Sequence, residues 1–112
     1  MAIVIITERL KEDIFTNFKG ESKKILIQMN SLKENPKKGK ELTCIGKTIL
    51  KEIKYKKWRF YFITDGYKLK FLRVEELNDL LIKFVRMSGK KEQQETIDEI
   101  KKVLRMTGEA GF

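Results

Sequence analysis

The spacing of hydrophobic residues near the start of the chain is typical of helices. Apolar residues recur every fourth position over Leu10–Phe18, which is the spacing of one helix face. Gly20 is suited to end this helix and Ser22 to begin another. Asn35–Pro36 ends the second helix, because proline disfavours helical geometry in the residue before it. The pattern predicts a helical hairpin over residues 8–34.

β-Branched and aromatic runs predict the strands. Ala2–Thr7 is predicted as the first strand, and Thr48–Tyr55, Trp58–Thr64 and Tyr67–Leu72 as three consecutive ones. In the last of these, large apolar residues alternate with lysines, as in a half-exposed strand. Leu80–Val85 is predicted as a buried strand, although its periodicity alone also permits a helix.

The connections between these elements carry turn and capping residues. Asp65–Gly66 tolerates positive φ angles and therefore predicts a tight hairpin turn. Residues 37–42, "KKGKEL", are predicted to form a basic loop. A last helix is predicted over Gln93–Met106, capped by Gly108, with residues 109–112 as a loose tail.

These elements predict a single α+β domain over residues 1–112. The expected order is β-α-α-β-β-β-β-α, a small and mostly antiparallel sheet with two N-terminal helices packed on it and a C-terminal helix. The apolar run Ala2–Ile6 is too short for a signal-peptide core or a membrane span. We therefore expect a cytoplasmic protein with no membrane partner.

The composition restricts both partners and chemistry. Lys and Arg total 25 against 16 Asp and Glu, a net charge of +9, which predicts an acidic partner such as nucleic acid, an anionic membrane or an acidic protein. Histidine is absent and Cys44 is the single cysteine. This composition excludes an internal disulfide, the commonest general acid–base residue and almost every zinc arrangement, so no metal or cofactor is expected.

The most informative segment is "KYKKWRFYFITDG" at residues 54–66, where cations precede a largely aromatic strand. Strand alternation directs Trp58, Phe60 and Phe62 to one face, which is predicted to be core. Arg59 and Tyr61 point to the opposite face. A cation inside such a strand needs a partner, either a phosphate or an ion pair with Glu52 or another strand carboxylate. Tyr61 fits equally a base-stacking position or the core.

If the strands at 58–64 and 80–86 are neighbours, Arg59, Tyr61, Lys83 and Arg86 would line one concave surface. Arginine binds phosphate oxygens bidentately, lysine acts as a point charge, and tyrosine stacks on bases. The surface would therefore suit RNA. Further cations at the strand ends are candidates to bind the same RNA: Lys54, Lys56, Lys57, Lys90 and Lys91.

Such a surface also has the residue types for RNA cleavage. RNA carries its own nucleophile in the 2′-hydroxyl, so cleavage needs a base, charge stabilisation at the phosphate and an acid for the leaving oxygen. Neighbouring cations lower the pKa of a lysine, so that clustered lysines can transfer protons. The candidate catalytic residues are Arg59, Arg86, Lys57 and Tyr61.

Three segments resemble the RelE/ParE superfamily of type II toxins, and most closely its RelE/HigB-like branch. They are "LKENPKKGKEL" at 32–42, "KEIKYKKWRFYFITDG" at 51–66 and "LLIKFVRMSGKKEQQETIDEIKKVL" at 80–104. The resemblance implies a toxin that cuts messenger RNA on the ribosome and is restrained by a small antitoxin over the basic groove. Arg59 matches the family's strand arginine, and Arg86 the basic position ending the penultimate strand. The alternatives are a ParE-like inhibitor of DNA gyrase and an inactive RNA-binding module of the same fold.

Overall fold

The computed structural model describes residues 1–112 and contains one five-stranded sheet with the order β1-β5-β4-β3-β2. β1 is parallel to β5, and the other pairs are antiparallel. The α+β class and the mostly antiparallel sheet predicted from the sequence are confirmed. The strands are β1 Ile3–Ile6, β2 Lys40–Ile45, β3 Thr48–Tyr55, β4 Trp58–Asp65 and β5 Leu81–Ser88; the α-helices are α1 Glu8–Phe18, α2 Ser22–Asn30, α3 Gly66–Phe71 and α4 Gln93–Thr107.

The N-terminal helices cover one face of the sheet, as predicted. Thr7 caps α1, and its hydroxyl accepts a hydrogen bond from the Leu10 amide. Phe60 and Phe62 are fully buried here, and Trp58 packs against the same cluster, so the predicted aromatic core face is confirmed. The apolar surface removed from water on this face is the main source of stability. The core has 16 residues, including Leu10, Ile14 and Phe18 from α1 and Ile25, Met29 and Leu32 from α2 or directly after it.

Helix α4 covers the opposite face. Ile97, Ile100 and Leu104 pack on the sheet in a second core of seven buried residues, which also contains Tyr61. The sheet is therefore buried on both sides along β4, which explains why this strand reads as almost continuously apolar.

One predicted strand is wrong. Residues 67–72 do not form a strand, since Gly66–Phe71 is helix α3. Asp65 is not part of a hairpin turn; its carboxylate caps α3 by accepting a hydrogen bond from the Lys68 amide at 3.0 Å. β4 already has β3 and β5 as its two neighbours, so the sheet has no place for a hairpin partner after Asp65.

The missing strand comes from the segment predicted as a loop. Lys40–Ile45 forms β2 at one edge of the sheet and pairs with β3, with an irregularity between Glu41 and Thr43. Gly39 precedes it with φ of +110°, a conformation that L side chains rarely adopt. Pairing with β3 outweighed the polar composition that suggested a loop.

The C-terminal residues are also more ordered than expected. Gly108 ends α4 with φ of 67°, as predicted, and a 3-10 turn follows over Gly108–Gly111. The predicted loose tail is wrong, because Phe112 packs against the second core and its backbone oxygen accepts a 2.6 Å hydrogen bond from Lys83 Nζ. None of the helices has the length and apolar character needed to cross a bilayer.

Candidate nucleic-acid interface

Six lysines gather at one end of the sheet, which we call the basic end. β3 and β4 meet there in the two-residue turn Lys56–Lys57, and β5 ends beside them, since Ser88 is the cross-strand partner of Arg59. A Cβ built on Gly89 would lie 3.5 Å from the Trp58 ring, so the residues after β5 stay near the turn. The members of the basic end, all exposed, are Lys40, Lys54, Lys56, Lys57, Lys90 and Lys91.

Arg59 and Glu52 form a nearly buried pair next to the basic end. Arg59 Nε lies 3.4 Å from Glu52 Oε2, and the two side chains are 12% and 2% exposed. The contact with Glu52, one of the two partners that the sequence predicts for Arg59, is present. Both atoms nevertheless lack a hydrogen-bond partner and are shielded from solvent. Buried polar atoms are seldom left in this state, so the pair retains hydrogen-bonding capacity that the fold does not use.

The turn itself is fixed by Glu21. Its carboxylate accepts hydrogen bonds from the Lys56 ammonium and, at 3.0 Å, from the Tyr55 hydroxyl. The hydrogen bond from Lys56, and then that from Tyr55, lower the pKa of Glu21, while Glu21 raises the pKa of Lys56. Lys56 has φ of 54°, a strained conformation for a lysine that these contacts hold in place. Lys56 therefore supports the turn. Lys54 and Lys57 take part in neither the Lys56–Glu21 nor the Arg59–Glu52 ion pair.

Tyr61 lies in the second core, so its ring has no open face for a base. The side chain is completely buried below α4, and its hydroxyl shares a 2.7 Å hydrogen bond with Ser88 Oγ. Burial raises the pKa of the Tyr61 hydroxyl, which keeps it neutral. Of the two readings of Tyr61 from the sequence, the structure favours the core position.

Arg86 and Lys83 are directed away from Arg59 by contacts with the C-terminal region. Arg86 Nε donates to Glu99 Oε1 at 2.8 Å, its Nη1 donates to the Val85 carbonyl at 2.7 Å, and the guanidinium lies 5.1 Å from the centre of the Phe112 ring. Lys83 donates to the backbone oxygen of Phe112. These contacts give both cations partners within the chain.

The predicted concave surface is therefore corrected. β4 and β5 are indeed neighbours, and Tyr61 is the cross-strand partner of Arg86. Around Tyr61 that face is covered by α4, because its apolar residues need cover from water, whereas Lys83 and Arg86 line a cavity beside Phe112. Of the cations predicted to bind RNA, the exposed ones lie at the end of the sheet and not across its face.

Sequence reasoning missed Lys40 because residues 37–42 were predicted as a loop. In the structure Lys40 and Lys54 line one cavity together with Lys38 and Gly39. Glu52 was considered only as a neutralising partner, although it is the carboxylate that the fold places against Arg59. The register of β2 on β3, which pairs Lys40 with Glu52, is the feature that a single sequence did not reveal.

Acidic side chains surround a separate cavity between α1 and α4. Asp13, Glu92, Glu95 and Glu99 line it, with Trp58 at one side. A polyanion is repelled from this cavity and attracted to the part of the basic end at the β3–β4 turn, where Lys54, Lys56 and Lys57 lie. No group of three or more His, Cys, Asp or Glu side chains is arranged to hold a metal ion.

Searches against protein-family models, curated proteins and solved structures found no match for this chain.

Proposed function

We propose that this protein is the toxin of a type II toxin–antitoxin system and cleaves messenger RNA on the ribosome. The single observation that carries the proposal is the Glu52–Arg59 pair, which has unused hydrogen-bonding atoms and has exposed Lys40 and Lys54 as cross-strand neighbours. The RelE/ParE-like sequence pattern supports the same assignment. RNA suits the site because lysines bind phosphates and Arg59 lies between Lys54 of β3 and Ser88 of β5 in the sheet.

In the proposed RNA cleavage, Glu52, Arg59 and Lys57 each have one role. Glu52 accepts the proton of the RNA 2′-hydroxyl, whose oxygen then attacks the adjacent phosphorus. Arg59 stabilises the charge that develops on the phosphate oxygens. The bond from phosphorus to the 5′-oxygen breaks, and the Lys57 ammonium donates a proton to this leaving oxygen. The products are a 2′,3′-cyclic phosphate and a 5′-hydroxyl.

This mechanism requires the substrate to reach a nearly buried pair. The Glu52 side chain is 2% exposed, so a bound phosphate must displace the side chains that cover it. Ribosome dependence is consistent with this requirement, because binding energy from a large partner can be used to open and align a site. Arg86 has no catalytic role in this scheme, since its contacts connect β5 to α4 and Phe112.

The proposal is tested by translating a defined message in vitro and mapping new RNA ends by primer extension. Wild type should produce new ends at ribosome-occupied codons. Arg59→Ala and Glu52→Gln should reduce their yield by roughly 10²–10³-fold, the effect of losing one preorganised group. Arg105→Ala, an exposed arginine near the end of α4, is the matched control and should cleave like wild type.

Two other results would replace this proposal with a different function. Blocked translation of an intact message would indicate an RNA-binding module without cleavage. Inhibition of DNA supercoiling with no effect on the message would indicate a ParE-like gyrase inhibitor. Circular dichroism of each variant should match wild type, so that a loss of cleavage is not a loss of folding.

The same proposal includes a small antitoxin that covers the basic end. Charge complementarity favours an acidic segment of that partner over these lysines. Co-expression with the neighbouring open reading frame should give a complex that survives purification at low salt. The Lys54→Glu/Lys57→Glu double variant should weaken that complex, whereas Lys23→Glu/Lys102→Glu, with the same charge change on α2 and α4, should not.

A further inference from the structure

Helix α3 displays two aromatic rings to solvent. Tyr67 and Phe71 are 63% and 71% exposed and lie four residues apart, on one side of the helix. Their ring centroids are 5.0 Å apart with planes inclined by 43°. Single exposed apolar residues are common, but an adjacent pair of large rings is the kind of surface that marks a binding site.

The fold holds this helix firmly while leaving the rings outside. Asp65 caps its first turn, and the Gly66 amide donates a 2.8 Å hydrogen bond to the Lys47 carbonyl. Leu69, on the opposite side of α3, is buried in the larger core. The rings are therefore displayed by an anchored element, which lowers the entropy lost when a partner binds.

The charge around the rings indicates the chemistry of that partner. Lys68, Lys70 and Arg73 follow each other without an acidic residue between Gly66 and Arg73, and exposed Lys47 lies beside Gly66. Lys70 and Arg73 contact Glu41 and Glu76 at 3.6 and 3.5 Å, but these are exposed pairs of the kind that contribute little. A negatively charged partner with flat, stackable surfaces fits both features.

We propose that Tyr67 and Phe71 form a second RNA-binding surface, on which unpaired bases of single-stranded RNA stack while Lys68 and Lys70 contact its phosphates. Aromatic rings beside cations are the usual means of holding single strands without sequence preference. A membrane is disfavoured because α3 is a six-residue helix whose one further large apolar residue, Leu69, faces the core.

This surface is distinct from the candidate cleavage site. Asp65 follows Arg59 by six residues along β4, which corresponds to about 20 Å at roughly 3.3 Å per residue. The inference uses the proposed function only for the class of ligand, RNA, and does not depend on cleavage. A protein that binds RNA at α3 and cleaves nothing would uphold this inference and overturn the proposed function.

The test measures binding of a fluorescent 2′-O-methyl RNA oligonucleotide, which lacks the free 2′-hydroxyl needed for cleavage. Tyr67→Ala/Phe71→Ala should weaken binding at least fivefold, the lower end of what the loss of one stacked base produces. Phe15→Ala, at a ring 51% exposed on α1, is the matched control and should bind like wild type. An abasic oligonucleotide with the same phosphates should bind wild type more weakly and should not distinguish wild type from the double variant.

Two results would overturn the inference. The first is equal RNA affinity of wild type and the double variant; a ring-dependent change in self-association or in binding to anionic vesicles, measured by light scattering and sedimentation, would then identify another partner for the rings. The second is an equal loss on the abasic oligonucleotide, which would mean that charge and not stacking is involved.

Discussion

Arg59 and Arg86 lie on neighbouring strands but differ in how completely their side chains are hydrogen-bonded. Arg86 has hydrogen bonds to Glu99 and to Val85 and lies over the Phe112 ring, so its guanidinium has partners within the chain. Arg59 has only its contact with Glu52, and the facing atoms lack hydrogen bonds. A buried charge that is paired but not fully hydrogen-bonded lowers stability and is retained most readily where function needs it.

Tyr61 provides a test of the residues that only support the fold. Tyr61→Phe leaves Ser88 Oγ buried without its partner and should lower the free energy of unfolding by about 1–3 kcal/mol, measured by urea denaturation. Tyr61→Phe/Ser88→Ala removes both polar groups and should recover part of this loss. RNA affinity should not change in either variant. A large loss of RNA affinity in Tyr61→Phe would contradict the assignment of Tyr61 to the core.

Glu21 provides a pH-dependent test at the hairpin turn. Its pKa is lowered below the usual 4.5 by Lys56 and Tyr55, so the folded state favours the ionised carboxylate. The stabilisation is therefore present above about pH 4.5 and is lost as the pH falls through the lower folded-state pKa. Glu21→Gln should lower the thermal midpoint at neutral pH, and the difference from wild type should shrink below pH 4.5. A difference that persisted at pH 2 would contradict this account.

At the scale of elements, β2 and α4 determine which cations stay open. β2 brings Lys40 next to β3 at the basic end. Helix α4 closes the sheet face over Tyr61 and directs Glu99 to Arg86. The candidate interface is consequently one end of the sheet, where lysines of β2, of β3, of the turn between β3 and β4 and of the segment after β5 meet.

Gly39 tests the entry into β2. A Cβ at this position would lie 2.8 Å from Phe62 Cζ, and the φ of +110° adds backbone strain. Gly39→Ala should therefore lower the free energy of unfolding by about 1–3 kcal/mol in urea. Gly20→Ala is the matched control, because a Cβ there has no atom within 4 Å. This control should change stability by no more than about 1 kcal/mol, in the stabilising direction if at all.

At the scale of the whole molecule, charge is unevenly distributed over a body of 37 × 30 × 21 Å. Lysines dominate the basic end and α3, while carboxylates line the cavity between α1 and α4. A polyanion is therefore attracted to particular regions and not to the net charge of +9 as a whole.

The salt dependence of the proposed RNA binding tests whether these regions form a localised interface. Each single-strand phosphate that a lysine neutralises contributes about 0.7 to the slope of log affinity against log salt. Lys54→Gln/Lys57→Gln should reduce the slope by roughly 1.4 if each lysine neutralises one phosphate. Lys23→Gln/Lys102→Gln has the same change in net charge and should leave the slope near the wild-type value. Equal slopes for both double variants would contradict a localised interface.

Local patterns predicted the elements whose signals lie within a few residues. The α1–α2 hairpin, β3, β4 and the last helix each have periodic apolar residues or caps. Asp65 shows the limit of this reasoning, because the pair Asp65–Gly66 fits both a hairpin turn and a helix cap. The choice depended on whether β4 had room for another neighbour.

The sequence by itself determined the α+β class, the aromatic core face and the location of the cations along the chain. These properties depend on hydrophobic period and composition, which are local. Only the tertiary structure decided that β2 forms an edge, that α4 covers Tyr61, that Arg59 meets Glu52 and that two rings of α3 face solvent. The physical reason is that each depends on strand register and on the competition among apolar surfaces for burial, which involve residues far apart in the chain.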